Sequence, residues 1–141
     1  MALLPEPFVS VALAKKTDLK VVLDMQTLWK EISGSDQLPQ SGIVVKGEFA
    51  DAYPDYVAAF LKQFEASVNY VNTNTNKLAT LAETHGLTIP APAIKTGIPR
   101  SNIRYESAKE AKDAIINYFN ILLENSPSDI GGKLPDDKFI G

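Results

Sequence analysis

The chain has no cysteine, one histidine, one tryptophan and two methionines in 141 residues. Without cysteine there is no disulfide framework and no thiolate chemistry, an absence shared by many exported and many cytosolic proteins, so it leaves the compartment open. A zinc-type His/Cys cluster is excluded by the count alone. Excess positive charge is also lacking: 14 Lys and Arg stand against 17 Asp and Glu, a formal charge of −3. The cations are scattered singly among acids, which argues against a nucleic-acid partner. No stretch approaches the ~20 uninterrupted apolar residues of a membrane span. The apolar start, Met1 to Ala14, has no leading positive charge and is broken by Pro5, Glu6 and Pro7. It reads as folded sequence, not as a secretory leader.

What is present is the balance of a globular domain, 45% hydrophobic and 22% charged. A chain of this length can bury one ordinary core, so one domain, or one contiguous piece of a larger one, is expected. Pro7 suits the first turn of a short helix over Phe8 to Ala14, because its missing donor is not needed there. Leu19-Lys-Val-Val-Leu23 and Gly42-Ile-Val-Val45 read as apolar β-branched strands, with a helical turn or two from Met25 to Ile32 between them. Ser33-Gly34-Ser35-Asp36 is a loop by its turn chemistry.

The strongest helical signal runs from Pro54 to about Asn72, where Tyr56, Val57, Phe60, Leu61, Phe64, Val68 and Val71 recur at three- and four-residue spacing. That stripe calls for burial. Leu78, Leu81 and Ala82 mark a further helix that Gly86 can end, and Pro90, Pro92, Gly97 and Pro99 keep any helix in the next segment short. Asn102 to Tyr105 is strand-like. Ser107-Ala-Lys-Glu110 is a capping-box pattern opening a final helix to about Asn125. Strands separated by helices, followed by a helical second half, imply a helix-rich α/β fold with few strands and two long C-terminal helices.

Chemistry-bearing constellations are scarce, and no enzymatic activity is expected. His85 beside Gly86 is placed for a helix end, where the carbonyl dipoles favour an imidazolium, and this outranks catalysis. Asp136-Asp137 reads as a solvated turn. Gly131-Gly132-Lys133 lacks the spacer and the trailing Ser or Thr of a phosphate loop. Trp29 falls with Met25 and Ile32 on one apolar face, so core packing outranks a ligand platform; Tyr105, alternating with Ile103, is a second candidate platform. Arg100 and Arg104 suit surface ion pairs or an anion. Glu6 is distinctive, since two prolines stiffen the backbone around a carboxylate flanked by Leu3, Leu4 and Phe8, and a charge among apolar neighbours is costly unless paired. A structural and a functional role are equally open for it.

Four segments together carry a family resemblance: Leu4-Pro-Glu-Pro-Phe8, Pro39-Gln-Ser-Gly-Ile-Val-Val45, Ile98-Pro-Arg-Ser-Asn-Ile103, and Asn125 through Gly131-Gly-Lys-Leu-Pro-Asp-Asp-Lys-Phe139. The chain resembles the C-terminal half of extracytoplasmic substrate-binding proteins of ABC importers, in the nitrate, sulfonate and taurine branch with a type II periplasmic-binding-protein-like fold. The resemblance covers nearly all of this chain and roughly half of the family's usual length, which implies a C-terminal fragment. It implies that residues 1–40 end the second lobe, 41–47 form the hinge crossing strand, and 48–141 complete the first lobe. Glu6, Pro7 and Phe8 would then contact a small solute, namely a sulfonate, a nitrate-like anion or a small heteroaromatic. No cofactor or metal is implied. The partner would be an ABC permease, and the parent would work outside the cytoplasm, periplasmic or membrane-anchored as a lipoprotein. Apolar helical faces left uncovered would make the isolated chain homo-oligomeric. The alternative from residues alone is a free-standing helical domain for protein–protein interaction.

Overall fold

A computed structural model describes residues 1–140. Among them are eight α-helices, one 3-10 helix and no strand. The α/β expectation is therefore wrong for this chain. Leu19–Leu23 and Gly42–Val45 form no regular structure, and their side chains lie open to water, Val22 at 71% and Val44 at 74% exposure. A β-branched apolar run states that a segment suits a sheet, but a strand exists only where a neighbour takes its backbone donors and acceptors. No neighbour does so here. Asn102 to Tyr105 is likewise no strand: Asn102 turns with φ 49° and the Asn72 side-chain amide donates to the Ile103 carbonyl at 2.8 Å.

The chain divides into two compact units. One comprises 1–20 and 45–105, the other 21–44 and 106–141.

The first unit holds α1 (Phe8–Lys15), α3 (Gly47–Ala52), α4 (Pro54–Thr73), α5 (Thr75–Thr84) and α6 (Ala91–Arg100). Helix α6 packs against both α1 and α5. Small residues permit the approach: Ala79 and Ala82 of α5 are buried, as are Ala93, Ile94 and Gly97 of α6. Helix α5 stops in a Schellman motif, with Leu87 N–H donating to the Ala82 carbonyl at 2.8 Å and Gly86 N–H to Glu83 at 3.1 Å. That motif needs the left-handed φ of 73° at Gly86, which glycine adopts without a Cβ penalty. On α4 the expected stripe divides. Val68 is buried and Val57, Leu61 and Val71 are half-buried, whereas Tyr56, Phe60 and Phe64 stay exposed.

The second unit holds α2 (Met25–Ser33), α7 (Ala108–Asn125), the 3-10 helix Pro127–Ile130 and α8 (Asp137–Ile140). Asp24 caps α2 by accepting from the Gln26 and Thr27 amides. Ser107 and Glu110 make the reciprocal capping box of α7 that their spacing anticipates. Trp29, at 9% exposure, is core: its indole N–H donates to the Gln37 carbonyl at 2.8 Å and its ring meets Tyr118 with centroids 5.5 Å apart. Gln37 in turn donates its side-chain amide to both Glu106 carboxylate oxygens, at 3.1 and 3.0 Å.

Candidate functional site

The Leu4–Phe8 segment enters α1 as its sequence suggests, with Pro7 preceding the first helical residue. A helix start leaves its first amides without partners. Glu6 supplies one: its Oε2 accepts from the Ser10 N–H at 3.1 Å. Its other oxygen, Oε1, stands 2.9 Å from Arg100 Nε at the end of α6. The N–H is not aimed at that oxygen, which is buried and takes part in no directed hydrogen bond, so the contact is a charge pair. The Glu6 side chain is only 10% exposed and that of Arg100 40%, so the carboxylate is the sequestered partner and the guanidinium keeps a face in water.

Two further residues complete this node. Gly97 on α6 comes so near that a β-carbon there would lie 3.2 Å from Glu6 Oε2 and 3.3 Å from Ser10 Oγ. Ser10 Oγ is itself buried without a hydrogen-bond partner, an uncommon state for a hydroxyl. In the sequence Gly97 stands among prolines as a helix-shortening residue, and Ser10 carries no signal of its own. The small-residue spacing of Ala93 and Gly97 was the available signal for a close helix contact.

Of the three residues assigned to ligand, Glu6 thus sits inside the node, Pro7 is half-buried against Gly97, and Phe8 is 61% exposed. Arg100 takes the ion-pair option, with Glu6 as its partner. Tyr105 lies edge-on to Phe64 at 6.1 Å. His85 is exposed at the C-cap of α5, where its backbone N–H donates to the Leu81 carbonyl. Asp136 caps the short α8, its carboxylate and carbonyl both accepting from the Phe139 N–H at 3.1 Å. Among the described residues no group of three or more His, Cys, Asp or Glu is placed to hold a metal ion, and no helix is long and apolar enough to cross a membrane.

The arrangement can hold a guanidinium by charge near an exposed phenylalanine, Phe8; within it no nucleophile is paired with a base. Comparison with known proteins finds no match for this chain: no family model, no curated protein and no solved structure is similar to it.

Proposed function

We propose that this chain belongs to a solute-binding protein that captures a small molecule and delivers it to an ABC permease outside the cytoplasm. The observation that carries the reading is the Glu6–Arg100 pair. A guanidinium held near a buried carboxylate by charge alone keeps its donors for a planar or tetrahedral oxyanion, a group that Arg recognises well. Phe8, exposed two residues from Glu6, would add an apolar contact. The sequence resemblance supports the same role.

Calorimetric titration with a small sulfonate, nitrate and a small heteroaromatic tests the reading. Binding of one of them that is weakened by Arg100→Gln and by Phe8→Ala, with the circular dichroism spectrum retained, is the expected result. No binding in any of the three classes, or affinity unchanged by both substitutions, overturns it.

A second reading, a helical protein–protein interaction domain, is favoured by one observation. Phe49, Tyr53, Tyr56, Phe60 and Phe64 all remain at least 38% exposed and pair in two groups: Phe49 with Tyr53 at 5.1 Å and Tyr56 at 5.9 Å between ring centroids, and Phe60 with Phe64 at 6.2 Å. Clustered exposed aromatics are unusual on a monomer. Light scattering at micromolar concentration that reports a dimer or larger species, dissociated by Phe60→Asp, would support this reading; a compact monomer would remove it.

A further inference from the structure

Beyond the Glu6 node, the second unit contains a cleft of about 360 Å³. That is the size of a small ligand site. Its walls are apolar: Phe119 of α7, Ile130 of the 3-10 helix, Leu134, and Phe139 of α8. Phe139 is 56% exposed although its neighbour Ile140 is 4% exposed and anchors the end of the chain. An exposed aromatic residue therefore lines the cleft next to a buried one. The rim carries two opposite charges, Asp129 and Lys133, and among the described residues neither belongs to an ion pair. Asp129 has only a long contact, 3.5 Å, with the Ser128 hydroxyl.

We propose that this cleft binds a flat aromatic molecule that bears an anionic group and a ring N–H. The ring would occupy the space bounded by Phe119 and Phe139, where aromatic pairing adds to area burial. The anion would meet the Lys133 ammonium and the N–H would donate to the Asp129 carboxylate. The two rim charges supply polarity and orientation, and the walls supply most of the affinity. This site uses none of the residues of the Glu6 node, so its fate and that of the proposed transport role are independent.

The test uses three probes of similar outline: indole-3-carboxylate, its neutral carboxamide, and 1-naphthoate, which lacks the ring N–H. Titration of the 15N-labelled chain with indole-3-carboxylate should shift the amides of Gly131, Lys133 and Phe139 saturably. The carboxamide should bind about two- to fivefold more weakly, the span expected of an exposed charge contact. Lys133→Met, which keeps an apolar stem, should abolish the difference between acid and amide; Asp129→Asn should reduce the preference for indole over naphthalene. Saturable shifts centred outside residues 119–139, equal affinity for acid and amide in the unaltered chain, or no shift at millimolar probe each overturns the proposal.

Discussion

Gly97 lies against the Glu6 carboxylate so closely that one added methyl would stand 3.2 Å from Oε2. This relationship decides the sign of a common stabilising substitution. Alanine in place of a helical glycine ordinarily gains about 1 kcal/mol. Here the obstructing oxygen accepts from the Ser10 amide, the other oxygen of the same carboxylate faces Arg100, and Ser10 Oγ closes the other side at 3.3 Å. Overpacking of this kind costs about 1–3 kcal/mol. Gly97→Ala should therefore lower stability by about 1 kcal/mol, and urea denaturation followed by circular dichroism checks it. An increase in stability would show that the α1–α6 joint yields readily.

Glu6→Gln keeps an oxygen for the Ser10 amide and removes the charge facing Arg100. Interactions with a charged group are worth about 1.5–3 kcal/mol when buried, and the exposed face of Arg100 reduces that by solvation. A loss of about 1 kcal/mol is expected, and less for Arg100→Gln in the Glu6→Gln background than alone. A double-mutant cycle with strictly additive losses would show the pair to be energetically silent.

Trp29 ties α2 to its own loop through Gln37 and to α7 through Tyr118. Trp29→Phe should cost about 1 kcal/mol for the lost N–H donor, and Trp29→Ala about 3–5 kcal/mol for the cavity. Thermal melts monitored at the helical signal separate the two; no loss in Trp29→Phe would mean that the indole hydrogen bond contributes nothing, and equal losses that the filled ring site does not.

Hydrogen bonds from the Ser107 hydroxyl, and then from the Ser107 amide, hold the Glu110 carboxyl below the usual carboxylate range. A lowered folded-state pKa stabilises the fold above the unfolded value, and that contribution fades as pH falls through the folded value. Ser107→Ala should thus flatten the acid limb of the stability profile and fray the start of α7. Melting temperatures measured from neutral to acid pH would show parallel curves for both chains if the capping box carried no charge-dependent stability.

Helices were legible because their signals are local. The capping residues Ser107 and Glu110, Pro54 at the first position of α4, and Gly86 after α5 each act within one turn of themselves. The strands were misread for the complementary reason. Val21, Val22, Val44 and Val45 report a preference that only a distant segment could satisfy, and no described residue does so. At the candidate site the carboxylate of Glu6 stood out by its proline flanks. Its partner Arg100 lies 94 positions later, from 6 to 100, where no spacing rule links the two.

The passage of the chain out of the first unit after Lys20 has a topological consequence. Residues 1–20 include α1 and Glu6, and the apolar run just beyond, Val21 to Leu23, is exposed without regular structure. A protease cutting there severs every covalent tie between α1 and α6, leaving the helix docked by packing, by the Ser10 contact region and by one ion pair. The nicked protein then becomes a two-piece complementation system, in which release of the 1–20 peptide reads out the strength of a single helix joint.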